Sequence, residues 1–141
     1  MLVRLLYASR VLDNKMGEIV HQIMQQSRQH NPQFGITGIL CHSEDIFLQV
    51  LEGGRVNVNQ LYAQILKDTR HTDVILLDYQ EISERRYAGW TMGQVNLLKI
   101  NPSLLLKYSS LPVLEPHRMS GKMSLALIED LIASAAVICR T

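Results

Sequence analysis

The chain has 141 residues, 47% of them hydrophobic and 19% charged, which suits one domain with a substantial core rather than two domains or a disordered tail. A formal net charge of +1 with no basic block excludes a surface built to neutralise many phosphates, so no nucleic-acid partner is expected. Cys41 and Cys139 form neither a disulfide framework nor a zinc spacing, and a reducing cytoplasm is the expected compartment.

Residues 2–9, "LVRLLYAS", are apolar on both alternating faces, as in a strand covered on both sides. Asp13 or Asn14 is a candidate cap for a helix whose stripe is Met16, Ile19, Val20, Ile23, Met24 and Ser27. That helix is expected to end near Asn31, because Pro32 pushes the preceding residue toward extended geometry. "FGITGILCHS" and "DIFLQVLEGG" then read as an antiparallel hairpin across "SED".

From Asn57, the positions Val58, Leu61, Tyr62, Ile65 and Leu66 give a second amphipathic helix. The strand "VILLDYQEIS" follows, and a charged turn leads to a last strand around "WTMGQVNLL". The order βαββαββ is that of a ferredoxin-like α+β sheet with both helices on one face. The strands are apolar on both faces, so the tail is expected to cover the other. "NPSLLLKYSS", with Asn101 as cap and Pro102 at the first helical position, and "SGKMSLALIEDLIASAA", behind Ser120, predict two C-terminal helices there. Apolar surface left over would serve docking or a homo-oligomer contact. The N-terminus lacks a signal-peptide cleavage pattern, and Glu129 and Asp130 interrupt the late apolar run, so no membrane span is expected.

Three polar side chains sit at apolar edges. By parity, Tyr7 shares a face with Val3 and Leu5, and Gln49 shares one with Phe47 and Leu51. A buried amide without a partner costs roughly 1–3 kcal/mol, so a phenol opposite a carboxamide reads as a satisfied pair. Asn31 adds a third group between the helices, and the set suits an uncharged planar ring with carbonyl and N–H edges. Read singly, each has a plain structural explanation. The five histidines show no metal spacing, and no nucleophile stands beside a base.

Six spaced elements, "LLYAS", "HN", "GITGIL", "FLQVLEG", "DTRH" and "RRYAGWTM", occur in order over residues 2 to about 98, and together they resemble the BLUF domain, a flavin-binding blue-light sensor. The resemblance implies FAD as cofactor and residues 1–98 as the sensor, with 99–141 as a C-terminal helical extension packed on the sheet. It further implies that Tyr7 is the light-driven electron and proton donor, that Gln49 relays the proton and rearranges its hydrogen bonds, and that Asn31 holds the carbonyl edge of the ring. Trp90 and Met92, alternating with Thr91 on one face of the last strand, would relay the signal. Ile23, Ile65 and Leu66 would sandwich the ring, and Arg70, with His71 beside it, would lie near the flavin phosphates.

The expected output is a reversible red-shifted state that alters association with a downstream signalling protein, without turnover. With the chain ending at residue 141, no effector domain is expected behind the sensor. The alternatives are a light-independent interaction module with the same fold, an acylphosphatase-like hydrolase and a flavin enzyme. Intact Tyr7, Asn31 and Gln49 argue against the first. "ASRVLDN" lacks a glycine-rich phosphate loop for the second, and no substrate-base constellation supports the third.

Overall fold

The computed structural model describes residues 1–12, 14–133 and 137–139. Its elements are β1 (Leu2–Arg10), α1 (Met16–Phe34), β2 (Thr37–His42), β3 (Ile46–Gly54), α2 (Arg55–Lys67), β4 (Thr72–Ile82), β5 (Gly93–Asn96), α3 (Pro102–Tyr108), α4 (Gly121–Ala133) and β6 (Val137–Cys139). The sheet order is β4-β1-β3-β2-β5-β6. β1 runs antiparallel to both β3 and β4, β2 is antiparallel to β3, and β5 lies parallel to β2. The first four strands with their two helices form the ferredoxin-like core.

A strand paired on both edges and covered on both faces must be apolar in both parities, which accounts for β1. On the first face, Val3, Leu5, Tyr7, Phe47 and Leu51 pack with Ile19, Val20 and Met24 of α1 and Val58 of α2. On the second, Leu6, Ala8, Leu48 and Val50 pack with Leu127, Ile128 and Leu131 of α4. The expected C-terminal cover is therefore present. Asn101 accepts the amide of Ser103 at the start of α3, and Ser120 Oγ accepts the amide of Met123 at 3.1 Å, opening α4. Lys107 and Tyr108 of α3 both bond Asp130, which ties the two helices together.

Several boundaries differ from the sequence reading. α1 does not end at Asn31 but runs through Pro32 to Phe34, where Gly35 closes it at φ 64° in the left-handed region. The pre-proline preference is overridden by packing: Asn31 continues the buried stripe of Met24 and Ser27, and its side chain is tied across to the backbone of Thr91. Asn14 does not cap α1. It occupies a left-handed turn at φ 55°, and Lys15 takes the cap position without a side-chain bond, while Asp13 lies outside the described residues. α4 is described to Ala133, its expected continuation over residues 134–136 lies outside the described residues, and β6 extends the sheet beyond β5. The last strand of the first sheet segment begins only at Gly93, so Trp90, Thr91 and Met92 belong to the connection before it.

Candidate functional site

A cleft of about 550 Å³ opens between α1 and α2 above the first face of the sheet. That volume falls within the range of small-molecule sites, roughly 300–1,000 Å³. Strand residues Tyr7, Phe47, Gln49 and Leu51 form its floor with Met92; Ile23 and Asn31 stand on the α1 side, and Leu61 and Ile65 on the α2 side.

Tyr7 and Gln49 are direct register partners of β1 and β3, so the sheet itself sets their approach. The Tyr7 hydroxyl donates to Gln49 Oε1 at 2.5 Å, and Gln49 Nε2 faces the Met92 sulfur at 3.5 Å. Both residues are nearly inaccessible, and burial, reinforced by Tyr62 and Asp68, pushes the Tyr7 phenol well above its ordinary range. Tyr7 is thus a neutral hydrogen-bond donor throughout the physiological pH range. The Tyr62 ring lies beside it with centroids 5.8 Å apart, and the His71 ring meets it edge-on.

Asn31 Nδ2 donates to the carbonyl of Thr91 at 3.2 Å, which leaves the amide oxygen and the second N–H for a ligand. His71 Nε2 donates to the Ile65 carbonyl at 2.7 Å, since a carbonyl can only accept; Nδ1 then accepts from the buried Ser9 hydroxyl at 2.8 Å. His71 thereby locks the end of α2 to β1. At the mouth, Arg70 pairs with Asp68 at 2.6 Å and reaches Gln22 and Gln26 of α1. The Arg70 guanidinium holds the Asp68 carboxyl below its usual range.

The structure brings Tyr7, Ile23, Asn31, Gln49, Ile65, Arg70, His71 and Met92 to this cleft. One of the expected ring-covering residues is not there. Leu66 is 53% exposed, because it stands about 100° around the helix from Ile65, which takes the inward position. Trp90 does not share a face with Met92. It packs in the second-face core, with its ring stacked on Tyr87, while Met92 is buried in the first-face core. Alternation holds only in extended backbone, and residues 83–92 are bends and turns. Gln26, His30 and Gln64 also line the cleft and were missed, because exposed polar helix positions carry no periodic signal.

The slot thus presents a phenol and two carboxamides between apolar walls, with the Arg70–Asp68 pair at its mouth. The sequence matches the family described as "Sensors of blue-light using FAD" over residues 2–93, and the chain belongs to this BLUF family. Members of this family are described as sensing blue light with FAD. The dark-state structure of the BLUF protein BlrB is 36% identical, covers 95% of this chain and 96% of its own, and superposes with a TM-score of 0.73. BlsA in its photo-activated state is 25% identical, covers 100% and 99% respectively, and gives 0.86. Photoactivated adenylate cyclase subunit beta of Euglena longa is 41% identical over 71 residues, 50% of this chain, and the chain spans 8% of that relative's length. The blue light- and temperature-regulated antirepressor BluF of Escherichia coli (strain K12) is 29% identical over 99 residues, 69% of this chain and 25% of its own length.

The donor set fits FAD. Asn31 and Gln49 offer both donors and acceptors to a ring edge, Ile23 and Ile65 supply apolar cover, and Arg70 brings a cation suited to a diphosphate.

Proposed function

We propose that the cleft holds FAD between α1 and α2 and that Tyr7 and Gln49 carry the light reaction. The observation that supports this most is the unbroken run Tyr7 Oη, Gln49 Oε1, Gln49 Nε2, Met92 Sδ along the floor. FAD, when bound, supplies the absorption of blue light and the oxidising power.

An electron leaving Tyr7 makes its hydroxyl strongly acidic, and the proton then has an acceptor in Gln49 Oε1 at 2.5 Å. A carboxamide can exchange which end donates and which accepts without a change of charge, so Gln49 can settle into a second hydrogen-bonded arrangement. Met92, on its other side, feels that exchange directly, because its thioether can accept from Nε2 but has no hydrogen to donate to Oε1. Asn31 fixes the ring edge, Ile23 and Ile65 cover it, Arg70 meets the phosphates, and His71 holds the loop carrying Arg70.

The light-induced arrangement acts on a downstream signalling protein by its different affinity for the two states. Residues 1–98 form the sensor in this reading, and 99–141 the extension that carries the output, in a cytoplasmic protein that self-associates. Among the described residues no helix is long and apolar enough to cross a membrane.

The test is the absorption spectrum of the purified protein before and after blue light, followed through dark recovery. Flavin bands that move slightly to the red and return establish the photoreceptor reading. A protein that stays colourless after incubation with FAD overturns it in favour of a light-independent interaction module.

A further inference from the structure

The connection from β4 to β5, residues 83–92, passes from the second face of the sheet to the first. Tyr87 and Trp90 stack in the second-face core with ring centroids 5.9 Å apart, whereas Met92 is buried in the first. One carboxylate holds the middle of this connection. Glu52 is 0% exposed; its Oε1 accepts the amide of Tyr87 at 2.8 Å and its Oε2 the amide of Arg86 at 3.1 Å. Its register partner on β1, Arg4, is 4% exposed and donates to Oε2 from Nε at 2.8 Å and from a terminal nitrogen at 2.7 Å.

A buried ion pair is weak evidence for stability, since well-packed apolar residues in its place are often as stable. Its retention here has a geometric reason. A carboxylate already neutralised by Arg4 can give charge-assisted bonds to two successive backbone amides, which a neutral side chain could not hold as firmly. The far end of the connection is tied to the cleft instead. The Trp90 carbonyl accepts from the Gly38 amide at 3.1 Å, the Thr91 carbonyl accepts from Asn31, and Met92 faces Gln49. Gly38 admits no side chain, because a Cβ there would lie 2.0 Å from the Val50 carbonyl oxygen. The Arg86 guanidinium pairs with Glu129 of α4, so α4 shares the pinned end.

We infer that Arg4 and Glu52 are positioning residues that pin the β4–β5 connection at Arg86 and Tyr87, so that movement begun at Met92 is confined to residues 88–92 and is delivered through Trp90 to the second-face core beneath α4. This rests on the photoreceptor reading of the cleft. Without the pin, the same movement would spread along the whole connection and be lost.

The experiment is amide hydrogen exchange on the full chain loaded with FAD, in the dark and under blue light. In the dark, the amides of Arg86 and Tyr87 are expected to exchange at least about tenfold more slowly than those of the exposed Glu84 and Gly89. Two uncharged double variants separate holding from charge. Arg4→Met with Glu52→Leu removes the acceptor, and Arg4→Met with Glu52→Gln keeps one. The leucine variant should lose about tenfold of protection at residues 86 and 87, keep the flavin shift, and lose the light-dependent exchange change at Leu127 and Ile128. The glutamine variant, with one acceptor oxygen left, should keep the flavin shift and fall between the wild type and the leucine variant in protection at residues 86 and 87 and in the light-dependent change. A wild-type light response in α4 of the leucine variant overturns the inference. So does fast dark exchange at Arg86 and Tyr87 in the wild type, which decides the matter even where the leucine variant does not fold. A wild type without any flavin shift removes the relay role together with the photoreceptor reading, while the dark exchange still reports whether the pin exists.

Discussion

Met92 and Trp90 are separated only by Thr91 yet lie on opposite sides of the sheet, Met92 on the cleft floor beside Gln49 and Trp90 against Tyr87 in the core beneath α4. A single connection thus touches both the site and the C-terminal cover. The residue between them is Thr91, whose carbonyl is held by Asn31.

Met92→Ala should therefore alter the flavin directly. Removing the thioether takes away the partner of Gln49 Nε2, and the light-minus-dark difference spectrum should change in size or lifetime. Trp90→Phe should leave the dark flavin spectrum as it is, because no Trp90 atom lines the cleft. Difference spectroscopy on both variants checks this, and an altered dark spectrum in Trp90→Phe alone would reverse the assignment.

Tyr7→Phe keeps the ring that packs in the first-face core and removes only the hydroxyl. The stability cost should be about 1–2 kcal/mol, from one lost hydrogen bond and an amide oxygen left short of its donor. FAD should remain bound and the red-shifted state should vanish. A denaturant titration reads the first, and absorption under blue light reads the second; an unchanged photocycle would take Tyr7 out of the mechanism. Gln49→Ala should give the same loss of the normal shift with flavin retained.

Much of this site is legible in the residues. Tyr7 and Gln49 share a face because strand parity is strict, and both lie in extended, fully buried runs where nothing can break it. Asn101 and Pro102 announce α3 for a comparably local reason. The failures are nonlocal. Trp90 and Met92 part faces because strand alternation does not hold in a segment that is not extended. The helix end that Pro32 points to at Asn31 lies instead at Phe34, where packing and a bond from Asn31 to Thr91, 60 positions away in the same chain, override the local effect of the proline. Arg4 and Glu52 read as ordinary charged interruptions of apolar strands until the register of β1 against β3 sets them face to face.

Asn31→Ala should weaken FAD retention rather than abolish the light response. The substitution removes a ring-edge partner and also frees the Thr91 carbonyl, so the connection to Met92 loosens at the same time. Loss of one hydrogen bond to a neutral partner corresponds to about three- to tenfold in affinity. A binding titration with FAD in the dark measures it, and an affinity equal to wild type would remove Asn31 from the ring contact.

His42 gives a prediction about pH. It sits on β2 opposite Asn96 of β5, and its Nε2 accepts from Gln94 at 3.0 Å, a bond that exists only while that nitrogen is unprotonated. Burial lowers its pKa from the ordinary 6.5. The unfolded chain therefore takes up a proton at a higher pH than the folded one, and stability must fall as the pH drops from about 6.5 through the lower folded value. Above 6.5 both states are neutral at His42 and no stability is lost. His42→Gln removes the titrating group while keeping a polar side chain at the β2–β5 joint. Urea midpoints measured at pH 7.5 and 5.5 should then differ less in the variant than in the wild type. Equal pH dependence in the two would show that protons bound elsewhere govern the acid side of the stability curve.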